Sequence, residues 1–222
     1  SQQEKIKIGV IAPLTGPSPE CGDNIRTGVE VALADLKQQY GDRIEVIVED
    51  DKFDPKESLN AIKKLIDADG IRVVIGSCSS SSTLAIAPVA EESKVLLFTP
   101  VSFAAKISES GDYVFRAALR SSEGAPIVAD FIKNNPSVDK TAVIYINNDY
   151  GVSYFTEFEK AYENLNGSIV LSEAQEAASR DFRTALSKAQ ASGAEAIFLP
   201  LIGAQFIPFI QNMRELGIKM PV

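Results

Sequence analysis

The 222-residue chain contains no histidine at all. That absence removes Ser-His-Asp and Cys-His nucleophile systems, histidine general bases and every histidine-containing metal site. Basic residues are also short: 22 lysines and arginines face 30 acids, for a net charge of −8, and they do not cluster. Phosphate backbones are repelled by such a surface, so nucleic acid is excluded as a partner. No apolar run reaches the roughly 18 residues that a membrane-spanning helix needs, and 45% hydrophobic with 23% charged residues is the balance of a soluble globular protein. Nucleotide cradles are missing too: there is no Gly-x-x-x-x-Gly-Lys-Ser/Thr segment, and no Gly-x-Gly-x-x-Gly follows the first strand. Gly-x-Ser-x-Gly is absent, so the serines have neither an elbow nor a base to activate them. Cofactors and metals are therefore not expected. The opening Ser1-Gln2-Gln3-Glu4-Lys5 lacks the basic segment and apolar stretch of a secretory leader, an expectation of either a cytosolic or an already processed chain. Two cysteines, Cys21 and Cys78, suit one disulfide in an oxidising space or two free thiols.

What the chain does have is alternation. Short β-branched runs exchange with amphipathic stretches of helical length throughout, the pattern of parallel strands joined by crossover helices, so the fold class is α/β. Ile6 to Ala12 reads as the first strand. Asp23 is expected to cap a helix carrying Ile25, Val29, Ala32, Leu33 and Leu36 on one face, stopped by Gly41. Ile44 to Val48 is a second strand, and Asp54-Pro55 an N-cap and N1 pair opening a helix with Leu59, Ile62, Leu65 and Ile66 as its stripe. Strands at Arg72 to Ile75 and Val95 to Phe98 enclose a helix through Leu84, Ile86 and Val89. After an irregular stretch, Tyr113 to Ala117 is a short strand and a helix begins near Ser121 or Ser122. A second series follows: strands Ala142 to Ile146, Ser168 to Leu171 and Ala196 to Leu199, with helices Tyr150 to Leu165, Phe182 to Ala191 and Ala204 to Leu216. The division is expected at residues 1–118 and 119–222. The second series holds fewer strands than the first, and Pro221-Val222 reads as the lead into another, so a C-terminal third of the fold is expected to be absent.

Ligands of open α/β sheets bind beyond the carboxyl ends of the strands. After strand one, Pro13 to Gly22 is a turn stiffened by proline. After strand three, Gly76-Ser77-Cys78-Ser79-Ser80-Ser81-Ser82-Thr83 brings small hydroxyl residues to a helix start, where backbone N–H groups attract a carboxylate or phosphate; the same serines are also ordinary caps. Glu49, Asp50, Asp51 and Asp54 could attract Mg²⁺ or could be solvated and capping acids. Tyr150 stands where a strand meets its helix and could cover a ligand.

Taken in order, Ile8-Gly9-Val10 through Leu14-Thr15-Gly16-Pro17, Gly28, Glu49-Asp50-Asp51 with Asp54-Pro55, and Val74-Ile75-Gly76 leading to Ser79-Ser80-Ser81-Ser82-Thr83 form a recognisable series. Phe98-Thr99-Pro100, Tyr113-Val114-Phe115-Arg116, Asn148-Asp149-Tyr150-Gly151 and Asp181-Phe182 continue it. The chain thereby resembles the type I periplasmic solute-binding proteins, in particular the branched-chain amino-acid binding family of ABC importers. The resemblance implies a two-lobed clamp, each lobe a parallel sheet flanked by helices, closing on a small ligand that is delivered to an ABC permease from the periplasm or the cell exterior. It implies that Ser80 binds the ligand carboxylate, with Ser79 and Cys78 alongside, that Ser102 and Phe103 neighbour the ammonium and carboxylate, and that Tyr150 closes over them. Cys21 falls on the wall formed by the first loop, and the strand order of such a lobe sets it beside Cys78, which favours a disulfide. Amino-acid binders of the family carry a threonine where this chain has Phe103, so an apolar surface replaces a hydroxyl. Arg120 stands where close relatives carry an acid, and a guanidinium there could hold an anionic group. A ligand-sensing receptor domain, or a Mg²⁺-dependent α/β enzyme using Asp50 and Asp51, are the alternatives; oligomerisation could cover edges left by a missing segment.

Overall fold

A computed structural model describes residues 5–222; the Ser1 to Glu4 opening, read above for a leader, lies outside the described residues. The chain divides between Ala118 and Leu119 into two compact units. Among the described residues no helix is long and apolar enough to cross a membrane.

The first unit is an all-parallel five-stranded sheet in the order β2-β1-β3-β4-β5. Its strands are β1 (Ile6–Ala12), β2 (Ile44–Asp50), β3 (Val73–Ile75), β4 (Leu96–Thr99) and β5 (Val114–Arg116). Helices α1 (Pro19–Tyr40), α2 (Pro55–Asp67) and α3 (Ser80–Ser93) connect them. Register assigns the faces. Gly9 pairs with Val74 and Val10 with Ile75, so alternate residues of β1 point to opposite sides. Ile11, Val74 and Leu97 bury against Ile62 and Leu65 of α2 and Ile86 and Ala90 of α3. Val10 and Ala12 bury against Ile25 of α1 on the other side.

Two expectations change here. Helix α1 starts at Pro19, four residues before Asp23, with Ser18 as N-cap and proline in the first turn, where its missing N–H costs nothing. Cys21 and Gly22 are thus helical, and Gly22 is where α1 touches the preceding loop: a Cβ there would collide with the Pro13 carbonyl. Of the expected apolar face of α1, Ile25 is buried, Val29 and Leu33 are half-buried, and Ala32 and Leu36 are exposed. On the α1 side, Val46 of β2 and Ile75 of β3 pack beside Val10 and Ala12 of β1, whereas Leu96, Phe98 and Phe115, which register places on that side, stay exposed as an apolar row. Helix α2 begins as the sequence indicates: Asp54 accepts from the N–H groups of Lys56 and Glu57, and Pro55 follows it.

The second unit carries α4 (Ser121–Lys133), β6 (Lys140–Ile146), α5 (Asp149–Asn164), β7 (Ser168–Gln175), α6 (Arg183–Ala191), β8 (Ala196–Phe198) and α7 (Gly203–Glu215). Its sheet runs β7-β6-β8, also parallel. One side of β6 packs Ala142, Ile144 and Ile146 against Phe182, Leu186 and Phe209. The other packs Val143 against Ala125 and Ala129 of α4 and Phe158 and Tyr162 of α5. Beside β8, the Ile197 N–H donates to the carbonyl of Pro221, so the segment read as a strand lead meets the sheet edge there.

Candidate functional site

Strand order 2-1-3-4-5 has its switch point between β1 and β3, where connections leave toward opposite sides, the place at which open α/β sheets receive ligands. The two segments flanking that point are the β1–α1 loop and the β3–α3 turn. They are fastened to each other: Cys21, in the first turn of α1, is bonded to Cys78, one residue before the cap of α3, with Cα atoms 6.4 Å apart. The two half-buried cysteines pack with Val10, Ala12, Ile25, Leu14 and Val101.

Helix α3 opens on Ser79, whose Oγ accepts from the Ser82 N–H at 3.4 Å. The hydroxyls around this turn point inward. Ser80 is 1% exposed, and its Oγ accepts from the N–H groups of Phe103 (3.1 Å) and Ala104 (3.2 Å), which pins the loop after β4 onto the helix start. Ser102 is fully buried and donates to the Ser77 carbonyl at 3.0 Å, with Thr83 Oγ1 2.8 Å away. Thr99 Oγ1 donates to the same carbonyl at 2.9 Å. Ser80 and Ser102 therefore brace the turn with their hydroxyls. Phe103 and Cys78 are half-buried beside it. Gly76 permits the approach of this turn to β1: its φ is +137°, and a Cβ would strike the Ile11 carbonyl.

Ser82 Oγ is buried without a hydrogen-bond partner. An unpaired buried hydroxyl costs about 1–3 kcal/mol and serine is a poorer helix former than alanine. Ser82→Ala is therefore expected to raise stability by about 1 kcal/mol, read as a shift in the denaturation midpoint. A loss of stability would show that the hydroxyl serves a partner.

The acidic cluster is structural. Asp50 accepts from the Leu14 N–H (2.9 Å), the Thr15 hydroxyl (2.6 Å) and N–H (3.3 Å), and the Lys52 N–H (2.9 Å), so it ties down the β1–α1 loop. Burial pushes its carboxyl up, but the bonds from Thr15, Lys52 and Leu14 outweigh that and hold it below the usual value. Asp51 is fully buried; burial pushes its carboxyl up against the opposing bonds from Ser77, Phe53 and Ser58. Asp54 caps α2, and Glu49 pairs with Lys64. No group of three metal-ligating side chains exists among the described residues. Of the two readings of this cluster, the bonds support structural acids: the oxygens of Asp50 and Asp51 face protein donors.

In the second unit, Tyr150 sits in the first turn of α5, capped by Asn148, whose Oδ1 accepts from the Gly151 N–H at 3.0 Å. Its ring meets Tyr154 edge-on at 5.1 Å, and burial, then the Tyr154 phenol, push its own phenol far above the usual range. Arg120 is the N-cap residue of α4; its guanidinium bonds the Glu123 carboxylate at 2.6 Å, and Glu123 also accepts the Arg120 N–H at 3.1 Å. The structure thus gives Arg120 an intrahelical anion as partner. Sequence reasoning placed Ser77 and Thr83 in the hydroxyl-rich run and Thr99 at the end of a strand, but gave none of the three a bracing role, which depends on contacts between distant segments.

The first unit is thus an open parallel α/β sheet whose two switch-point segments are cross-linked by Cys21–Cys78 and braced around the start of α3. The periplasmic binding protein family profile matches residues 5–222, and the chain belongs to that family. It is similar to an amino acid binding protein of Pseudomonas aeruginosa, 28% identical over 217 residues that are 96% of this chain and 58% of the relative. Among solved structures it is similar to an ABC-transporter solute-binding protein from Rhodopseudomonas palustris BisB5 in complex with 3,4-dihydroxybenzoic acid. That match has a TM-score of 0.89 and 24% identity, and covers 96% of this chain and 59% of the other. A branched-chain amino acid transporter substrate-binding protein from Streptococcus pneumoniae, in complex with isoleucine, matches with a TM-score of 0.89 and 24% identity over 98% of this chain and 63% of its own. The chain thus spans less than two thirds of the length of each of these proteins.

Proposed function

We propose that this chain serves an extracytoplasmic solute-binding protein that captures a small amino acid or related carboxylate for uptake through an ABC permease. The observation that carries the reading is the braced start of α3 at the β1/β3 switch point. A helix N-terminus attracts an anion through its backbone N–H groups and partial positive charge; here Ser102 and Thr99 donate to the Ser77 carbonyl and Ser80 Oγ accepts two loop N–H groups, which keeps the turn in place and leaves the Ser80 hydroxyl proton to donate to a carboxylate. The ligand carboxylate sits at the Ser79–Ser80 turn, with Phe103 and the Cys21–Cys78 bridge as apolar wall. Arg120 is left out of the ligand set because Glu123 occupies its guanidinium.

An apolar wall suits a branched aliphatic or an aromatic carboxylate, and the relatives above were solved with one of each. Titrating the protein with leucine, isoleucine, benzoate and 4-hydroxybenzoate while following thermal unfolding tests the reading. Binding to the folded state alone stabilises by about 2.7 kcal/mol at a hundredfold excess over Kd. A saturable rise in melting temperature with at least one of the four is expected; no rise with any of them overturns the proposal.

A further inference from the structure

Just beyond the end of β2 the fold holds a buried carboxylate. Asp51 is fully buried and has no ion-pair partner among the described residues. Burying an unpaired carboxylate is unfavourable unless hydrogen bonds replace its water. Its replacements come from three separate segments. Oδ1 accepts from the Phe53 N–H at 3.0 Å; Oδ2 accepts from the Ser58 hydroxyl of α2 at 3.0 Å and from the Ser77 hydroxyl of the β3–α3 turn.

Ser77 passes this anchor on. It too is fully buried, and its Oγ, besides donating to Asp51, accepts from the Ser79 N–H at 3.4 Å. Its carbonyl collects the Thr99 and Ser102 hydroxyls from β4 and the loop beyond. Ser79 in turn caps α3, with its carbonyl accepting from the Thr83 N–H at 2.9 Å. A continuous set of bonds therefore runs from the buried carboxylate through Ser77 to the first turn of α3. The Asp51 carboxylate supplies the acceptor on the side of Ser77, and the Ser77 hydroxyl both donates to it and accepts from Ser79.

We propose that Asp51 is the positioning residue of the ligand site: acting through Ser77, it fixes the N–H groups at the start of α3 in the arrangement that receives a carboxylate. The inference rests on the site reading given under Proposed function and deepens it. Asp51 touches no ligand; it holds the turn that does.

Two measurements on the whole 222-residue chain test it, one of them without any ligand. In amide hydrogen exchange, Ser77→Ala and Asp51→Ala are each expected to speed exchange at residues 79–83 at least tenfold beyond the change elsewhere in the first unit. The double variant should add little to either single change, because both break one linkage. Asp51→Asn, which keeps an acceptor for Ser77, should restore most of the protection. Ile62→Ala serves as the control: it lowers stability from the α2 side of the core and should show no selective effect at 79–83. In the second measurement, the Kd for whichever of leucine, isoleucine, benzoate or 4-hydroxybenzoate binds the unaltered protein should rise at least tenfold in Ser77→Ala and stay within threefold in Ile62→Ala. Uniform exchange changes across the unit, or an unchanged Kd in Ser77→Ala, overturn the positioning role. If the exchange pattern is as expected while none of the four ligands binds the unaltered protein, the site reading fails instead, and the role in positioning a ligand falls with it.

Discussion

Removing the Cys21–Cys78 bond, by replacing both cysteines with serine, is expected to cost the first unit about 4 kcal/mol. The bond closes a loop between residues 57 apart in sequence, and holding such a loop shut removes about that much conformational freedom from the unfolded chain. The bridge has a second effect in the folded state. It joins the first turn of α1 to the residue before the α3 cap, so its loss also frees the two segments that flank the switch point. A lower denaturation midpoint for residues 1–118 is expected, together with weaker binding of any carboxylate that the intact protein holds. A thiol assay of the unfolded protein gives the companion check: no free thiol is expected without reductant, and two after it. If the double serine variant unfolds within about 1 kcal/mol of the original, the bridge does not constrain this unit.

The second large effect belongs to residues 119–222. Phe158 is fully buried, stacked on Tyr162 at 5.0 Å between ring centres and tilted against Phe198 at 4.5 Å. Around it lie Ala125, Ala129 and Val143, small or β-branched side chains with no length to reach into a void. Phe158→Ala is therefore expected to cost about 3–5 kcal/mol, the upper range for deleting a buried ring, with Phe158→Leu under about 1.5 kcal/mol. The loss should appear as faster amide exchange in β6 and α5. A cost below 1 kcal/mol would mean that this cluster does not form the core of the unit. The hydroxyl of Tyr162, which accepts from Thr141 at 3.0 Å, would lose its fixed position with the stack and sharpen the effect.

Much of the fold was legible because its punctuation is local. The bounds of β1 coincide with its apolar run, and α5 and α6 begin within one residue of the expected positions. Where the reading slipped, the residues explain it. Ser18-Pro19 is a valid N-cap and N1 pair, but it stands in a stretch with Pro13, Gly16 and Pro17, whose turn character masked it. Strand β7 runs on to Gln175 instead of ending at Leu171, since an edge strand accepts the polar Ser172 to Gln175 segment that an apolar count rejects. The position of the hydroxyl-rich turn at a helix start marked it as a candidate anion site, and the family resemblance added the cysteine pair beside it. It did not show that the hydroxyls of Ser80 and Ser102 face inward. That direction is set by the backbone of residues 103 and 104 and by the carbonyl of Ser77, which approach from other parts of the chain. Asp51 was visible as an acid, but its role depends on a serine 26 positions away.

The chain has six tyrosines and no tryptophan, and the ring contacts of Tyr145, Tyr150, Tyr154 and Tyr162 all lie in the second unit. Intrinsic ultraviolet emission is therefore weighted toward residues 119–222, with only Tyr40 and Tyr113 in the first unit. A single tryptophan at Phe115, half-exposed at 51% on the bare side of the sheet, would give that unit a separate optical signal and let the two halves be followed one at a time.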